Sequence, residues 1–251
     1  MKKNTYSGIQ TIAIHAGEGP DPTTNASAPP IHMSSTFVSE EAAGFSAHDL
    51  TDDSPWLYAR WANPTVSMLE KKIAAIEGVE DALCTASGMA AATAIFLTFL
   101  QKGDHVIISD VSYAGVAELA RDTLPRFGIE TTFVDMADLE AVEAAIQKNT
   151  KLVHIETPVN PILRLTDVKA VKEITLKAGA LLSADCTFST PIGAKANALG
   201  IDLIMHSATK YLCGHGDAVG GVIAGSKSLI SKLRLEAGIH HGGVMSPFNA
   251  W

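Results

Sequence analysis

A lysine with hydroxyl side chains beside it follows a short apolar segment, in Ser207-Ala208-Thr209-Lys210-Tyr211. A lysine that attacks a carbonyl group must be neutral part of the time, which requires partial burial or a nearby positive charge. The carboxyl end of a buried strand would provide partial burial, and the hydroxyls of Ser207 and Thr209 are suited to an anion such as a phosphate. An ordinary surface lysine at a strand end is the alternative, so the role of Lys210 depends on the residues around it.

Asp185 ends another predicted strand, so we expect it in the same row as Lys210. A carboxylate there can pair with the protonated ring nitrogen of pyridoxal phosphate (PLP), which keeps the ring cationic and electron-withdrawing. A strand-end carboxylate held by nearby backbone N–H groups is the simpler alternative.

Ser87-Gly88-Met89 follows a predicted strand and opens a predicted helix. Backbone N–H groups at a helix N-terminus bind phosphate through hydrogen bonds and the helix dipole, and glycine lets the anion approach the main chain. A strand-to-helix turn without a ligand would have the same pattern.

Two further groups carry aromatic side chains. Tyr113 begins a predicted helix, where its ring could stack on a flat heterocycle and its hydroxyl could move protons. Tyr58-Ala59-Arg60 combines a phenol with a guanidinium, a pair well suited to phosphate. A half-buried core tyrosine and a surface pair are the respective alternatives.

Composition excludes several classes of function. The 251 residues carry a formal net charge of −8, which argues against nucleic-acid or anionic-membrane partners. The three cysteines have no CxxC spacing, which indicates neither a disulfide framework nor a zinc site and fits the cytoplasm. The sequence has no P-loop, no GxSxG elbow and no HExxH motif, and we expect no metal, no signal peptide and no membrane span.

From Asn63 onward, short apolar strands alternate with helices, which predicts a mostly parallel seven-stranded sheet with helices on both faces. Residues 1–62 lack a sustained period and are rich in proline, which predicts an extended arm. Asn63-Pro64 predicts the start of a helix, and Gly78 predicts its end. Ser246-Pro247 predicts the start of another helix. The predicted strands are Asp81–Thr85, His105–Ser109, Glu130–Val134, Leu152–Glu156, Leu181–Asp185, Leu203–His206 and Val219–Ala224. The other predicted helices are Gly88–Leu100, Ala114–Leu124, Leu139–Gln147 and Val168–Ala178.

These motifs, in this order, resemble the cysteine/methionine-metabolism family of PLP-dependent enzymes, which includes cystathionine γ-synthase, cystathionine γ- and β-lyases, methionine γ-lyase and O-acylhomoserine sulfhydrylases. The resemblance covers nearly the whole chain, and its most specific part is the Ser-Ala-Thr-Lys segment. The motifs are Tyr58-Ala-Arg60 through Asn63-Pro64-Thr65, Ser87-Gly88-Met89, Glu156-Thr-Pro-Val-Asn160-Pro161, Asp185, Ser207-Ala-Thr-Lys210-Tyr-Leu212 and Gly214-His-Gly-Asp217.

The resemblance implies a PLP-dependent transferase-like large domain (fold type I) in residues 63–251 and PLP as cofactor. It implies that Lys210 forms the Schiff base and shuttles protons, and that Tyr113 stacks on the ring and assists the leaving group. The other residues it implies in cofactor binding are Asp185 at the ring nitrogen, Asn160 near the phenolic oxygen, and Gly88, Met89, Ser207 and Thr209 at the phosphate, with Tyr58 and Arg60 from a neighbouring subunit. An arm shared in this way implies a homodimer or homotetramer.

Two departures from the family pattern stand out. The family has a smaller C-terminal domain with an arginine for the substrate carboxylate, and the chain ends before it. None of its own arginines, Arg60, Arg121, Arg126, Arg164 and Arg234, matches that role. Methionine γ-lyases carry a cysteine two positions after the stacking tyrosine, where this chain has Gly115, which weakens a methionine-specific reading.

The resulting expectation is a PLP-dependent carbon–sulfur lyase that carries out γ- or β-elimination on cystathionine, homocysteine, methionine or cysteine. A cystathionine γ-synthase or O-acylhomoserine sulfhydrylase would use the same visible residues, so the sequence does not separate lyase from transferase. A catalytically incomplete PLP-binding fragment and a non-PLP α/β binding protein are alternatives of other classes.

Overall fold

The computed structural model describes residues 8–39, residue 46 and residues 54–251. The helices are α1 (Ile9–His15), α2 (Pro64–Glu77), α3 (Gly88–Phe99), α4 (Ala114–Glu118), α5 (Leu139–Ala145), α6 (Val168–Ala178), α7 (Thr190–Gly193), α8 (Lys227–Leu233) and α9 (Pro247–Ala250). The strands are β1 (Asp81–Thr85), β2 (His105–Ser109), β3 (Glu130–Val134), β4 (Thr150–Glu156), β5 (Leu181–Asp185), β6 (Leu203–His206) and β7 (Gly221–Gly225). Segments of π-helix or 3₁₀-helix cover Leu119–Thr123, Leu124–Phe127, Ala196–Leu199 and Arg234–His240.

The strands form one seven-stranded sheet in the order β1-β7-β6-β5-β4-β2-β3. The pairs from β6 across to β3 are parallel, whereas β7 is antiparallel to both β1 and β6. The predicted mostly parallel sheet is therefore confirmed. Because β4, β5 and β6 are parallel neighbours, their carboxyl ends meet at one edge.

Both faces of the sheet are buried, which explains why its strands are apolar without alternation. Ile107 and Leu182 pack in a cluster on one face, while the neighbouring Ile108 and Leu152 pack with Phe96 on the other. Successive strand residues point to opposite faces, so covering helices on each side require both sets to be apolar.

The helix caps follow the sequence signals. The side chain of Asn63 accepts hydrogen bonds from the amides of Thr65 and Val66, and Gly78 ends α2 in the left-handed conformation. The predicted start at Ser246-Pro247 is also present, because the Ser246 side chain accepts from the Phe248 amide. These local signals fixed where α2 and α9 begin.

The arm contains a helix that its sequence period did not predict, so the expectation of an arm without helical structure is wrong at α1. The helix is held from outside, since Nζ of Lys72 on α2 donates to the Ile14 carbonyl at 3.1 Å. Gly17 then turns the chain so close to α2 that a Cβ would lie 2.4 Å from the Met68 carbonyl oxygen. Tertiary contact therefore supplies what local periodicity does not.

Other boundaries differ from the predicted ones for local reasons. The predicted helix Ala114–Leu124 is regular only to Glu118, ahead of Pro125, which has no N–H to continue it. α5 stops before Gln147, whose amide donates to the Thr150 hydroxyl instead. The sequence also did not predict α8.

Within the described ranges, no helix is long and apolar enough to cross a bilayer. In the same ranges, no group of three or more histidine, cysteine, aspartate or glutamate side chains is arranged to hold a metal ion.

Candidate active site

Asp185 and the lysine segment lie side by side at the carboxyl edge of the sheet. Asp185, the last residue of β5, is paired in register with Met205 of β6 and is 8% exposed. Its Oδ1 accepts a hydrogen bond from the Thr187 amide at 2.9 Å, and the Thr187 hydroxyl accepts one from the Ser207 amide at 2.7 Å. Thr187 therefore joins the carboxylate to the segment that carries Lys210.

Lys210 itself follows a turn after β6. Its amide donates to the Ser207 carbonyl at 3.1 Å, and its carbonyl accepts from the Gly214 amide at 2.8 Å. The backbone at Lys210 is thus fixed, but its side chain is exposed. We expected the Lys210 side chain to be partly buried. Within the described part of this single chain it is not, because the edge of the sheet is open there.

The start of α3 packs against the same segment. A Cβ added at Gly88 would lie 2.8 Å from Cβ and 3.0 Å from Oγ of Ser207, so only glycine allows this approach. Ser87 caps the helix by accepting from the Ala90 amide at 3.1 Å. Within the described ranges, the Gly88 and Met89 amides and the Ser207 hydroxyl donate no hydrogen bond. These groups form a ready set of donors for an anion.

Thr209 is placed differently from Ser207. Its hydroxyl donates to the Gly220 carbonyl at 3.1 Å and accepts from the Gly220 amide at 3.0 Å. The hydroxyl proton of Thr209 is therefore already donated to the backbone of this same chain. A role for Thr209 at a phosphate would require this hydroxyl to leave Gly220.

Tyr113 and Asn160 come together through the carboxylate of Glu156, which was not among the predicted site residues. Oε2 of Glu156 accepts from the Tyr113 amide at 2.7 Å, and Oε1 accepts from the Asn160 amide at 3.1 Å. Glu156 ends β4 directly beside Asp185 in the sheet register. Burial raises the pKa of Glu156, and the Asp185 charge raises it further. Its position at a strand end was the signal that could have identified it.

Tyr113 is 56% exposed. A Cβ at Gly115 would lie 2.9 Å from both the Met89 sulfur and Cε1 of Tyr113, so Gly115 lies in contact with both side chains. The ring thus borders the start of α3.

His154 is buried in the sheet, two residue pairs before the pair formed by Glu156 and Asp185. Its Nδ1 lies 2.8 Å from the Ser183 hydroxyl, and its ring meets Phe96 edge-on with centroids 5.2 Å apart. Burial lowers the pKa of His154 to about 4, against the opposing effect of the Asp185 charge. The imidazole is therefore neutral at neutral pH.

Tyr58 and Arg60 contact each other and the chain that follows α8. The Arg60 guanidinium donates to the Ile239 carbonyl and lies 5.1 Å from the centroid of the Tyr58 ring. Their predicted contribution to a neighbouring subunit stays a prediction.

A cavity of about 880 Å³ lies between α2, α7 and the chain that follows the lysine segment. Thr65, Ile73, Thr190 and Tyr211 are among its lining residues, and none of the predicted cofactor residues lines it. The candidate site is therefore the open edge of the sheet.

The sequence pattern of the Cys/Met metabolism PLP-dependent enzymes matches residues 10–251. The chain belongs to this family. It is 43% identical over 252 residues to a canavanine γ-lyase of Rhizobium leguminosarum bv. trifolii, covering 99% of this chain and 62% of that protein. It is 41% identical over 243 residues to the cystathionine γ-lyase of Bacillus subtilis, covering 96% of this chain and 62% of the relative.

Solved structures show the same fold. A cystathionine γ-lyase from Lactobacillus plantarum, crystallised with L-serine, superposes with a TM-score of 0.90 at 34% identity, covering 98% of this chain and 62% of that one. The chain thus spans about three fifths of the length of these relatives, whose PLP-dependent family it shares.

The residues at the sheet edge of this family member fit PLP. The free amides of Gly88 and Met89 and the Ser207 hydroxyl match a phosphate, which accepts hydrogen bonds only. Within the described ranges, Oδ2 of Asp185 receives no hydrogen bond, so it is free to accept one from a protonated ring nitrogen.

Proposed function

We propose that this protein is a PLP-dependent carbon–sulfur lyase that eliminates the γ- or β-substituent of a sulfur amino acid such as cystathionine, homocysteine, methionine or cysteine. The observation that carries the proposal is the juxtaposition of Asp185, Ser207 and the amide-rich start of α3 beside Lys210, in a chain of this family. The names of the first relatives share γ-elimination, which favours a lyase over a γ-replacement transferase.

The protein's own groups divide the work as follows. Bound PLP supplies an aldehyde for an amine and a ring that withdraws electrons from the substrate Cα. Nζ of Lys210 takes the proton from Cα, releases it, and then takes a proton from Cβ, whose loss lets the γ-substituent leave. Asp185 holds the ring nitrogen, and the amides of Gly88 and Met89 hold the phosphate. The hydroxyl of Tyr113 gives a proton to the departing thiolate, which leaves as a thiol.

Tyr58 and Arg60 are proposed to act across subunits. Residues 1–62 would then form an arm that reaches a neighbouring site, and residues 63–251 the PLP-binding domain, in a homodimer or homotetramer. The three cysteines are free, which supports a reducing compartment such as the cytoplasm.

The activity is tested by incubating the PLP-loaded protein with each sulfur amino acid and with canavanine, and measuring 2-oxoacid, ammonia and released thiol. We expect 2-oxoacid from at least one sulfur amino acid, and none with Lys210→Ala. Breakdown of canavanine alone, with no product from any sulfur amino acid, would instead assign the activity named for two of the relatives. No 2-oxoacid, but replacement product when a thiol and an acylated homoserine are added, would favour the transferase.

The shared site is tested by mixing two inactive variants, Arg60→Ala and Lys210→Ala. If Arg60 serves a neighbouring subunit, mixed oligomers contain one site with both native residues, and activity returns on mixing. Light scattering after size exclusion gives the oligomeric state in parallel. A mixture as inactive as its components, from chains shown to exchange, would contradict the shared site.

A further inference from the structure

A buried pair of ionisable side chains lies directly behind the lysine segment. Nε2 of His206 lies 2.5 Å from Oε1 of Glu77, and both side chains are 1% exposed. His206 ends β6, immediately before Ser207, and Glu77 ends α2. The pair therefore ties the end of a helix to the point where the lysine segment begins.

Glu77 occupies a place that is unfavourable for a carboxylate. The C-terminus of a helix carries partial negative charge, and burial removes the water that would solvate the side chain. Nδ1 of His206 is also buried and has no hydrogen-bond partner among the residues that the structure describes, so Glu77 is the partner that satisfies the ring. Apolar side chains would pack here without these costs. We therefore infer that the hydrogen bond serves to fix the end of β6 relative to α2.

The charge of the same carboxylate also acts at the strand end that carries Asp185. Burial raises the pKa of the Cys186 thiol, and the charges of Glu77 and Asp185 raise it further. Cys186 directly follows Asp185, and Thr187 connects Asp185 to the Ser207 amide. Glu77 thus bonds to the last residue of β6 and acts electrostatically on the residue that follows β5.

We propose that Glu77 and His206 are positioning residues, whose buried hydrogen bond holds the end of β6 so that Ser207 and Lys210 face the start of α3. This inference rests on the proposed function. Gly88 packs against Ser207 with no room for a methyl group, so a small shift of β6 would change the cradle between them. Without Glu77, the buried His206 ring would have to move to find another partner.

Glu70 provides a matched control on the same helix. It is also buried and lies two turns before Glu77, on the same face of α2. Its carboxylate accepts from the Cys84 amide at 2.9 Å and from Arg234 at 2.9 Å. These partners include none of the predicted cofactor residues, so loss of Glu70 should affect stability alone.

The test compares Glu77→Ala with Glu70→Ala in the full chain. Amide hydrogen exchange of the protein without PLP reports on the peptide 203–214, and titration with PLP followed by visible absorbance gives its Kd. We expect both variants to unfold at lower denaturant concentration. Only Glu77→Ala should speed exchange in 203–214 and weaken PLP binding, by about tenfold if one buried hydrogen bond is lost from the bound geometry.

Unchanged exchange in 203–214 and unchanged PLP affinity in Glu77→Ala would overturn the proposal, as would equal effects of the two variants. If Glu77→Ala does not fold, Glu77→Gln is compared with Glu70→Gln, and we expect a loss of affinity of about threefold in the first alone. Equal affinities of these two would also overturn it. Faster exchange in 203–214 of Glu77→Ala, when the unmodified protein binds no PLP, would support the positioning role and contradict the proposed function.

Discussion

Gly88→Ala tests whether the start of α3 and Ser207 form the phosphate site. The new Cβ would lie 2.8 Å from Cβ and 3.0 Å from Oγ of Ser207, whereas carbon atoms pack at about 3.5–4 Å. Because Gly88 is buried between packed elements, inserting a methyl group costs about 1–3 kcal/mol. If that strain falls on the geometry that binds the cofactor, PLP affinity falls by about 5- to 150-fold.

The assay is an equilibrium titration with PLP, followed by its visible absorbance. Gly193→Ala is the matched control, because a Cβ at Gly193 of α7 would meet no atom within 4 Å. We expect the control to bind PLP like the unmodified protein. A Kd for Gly88→Ala within about twofold of the control value would refute the placement of the phosphate between α3 and Ser207.

Three further predictions concern buried ionisable groups. Burial lowers the pKa of His154 from 6.5 to about 4, so its contribution to stability is full above pH 6.5 and about 3 kcal/mol is lost as the pH falls through 4. Denaturant unfolding at pH 7 and pH 4 should show this drop, and an equal drop in His154→Gln would argue against it. Glu156→Gln turns one acceptor into an NH₂ group facing a backbone N–H, so we expect about a tenfold lower elimination rate; an unchanged kcat would count against the role of Glu156. Arg234→Met leaves the buried Glu70 without its cation and should lower the free energy of unfolding by about 3–5 kcal/mol, with recovery in the double variant with Glu70→Gln; a urea midpoint equal to that of the unmodified protein would contradict this.

The sheet could be predicted from sequence because its strands carry their own apolar signal and five of the described helices begin at a side-chain cap. Asn63 and Gly78 specify the ends of α2 through bonds to residues nearby in the chain. α1 could not be predicted in this way, since its stability comes from contact with α2 across many intervening residues. α8 likewise packs on β1 and α3, which lie far from it in the sequence.

The residues of the candidate site likewise fall into those that the sequence reveals and those that only the folded chain reveals. Lys210 and Asp185 stand out because a polar side chain at the end of an apolar strand is visible in the sequence. Glu156 also stands at a strand end, but the two backbone amides that it accepts from lie in different loops, and His206 meets Glu77 across 129 positions of sequence. Such pairs depend on the three-dimensional arrangement of the chain, so periodicity and spacing do not reveal them.

The central claim is that Lys210 is the residue that PLP binds covalently. The measurement is to saturate the purified protein with PLP, reduce it with borohydride, digest it and locate the pyridoxyl group by mass spectrometry, with Lys210→Ala treated in parallel. The account predicts one pyridoxyl group per chain, on Lys210, and none on the variant. Label on other lysines with Lys210 unmodified, or equal labelling of the variant, would contradict it.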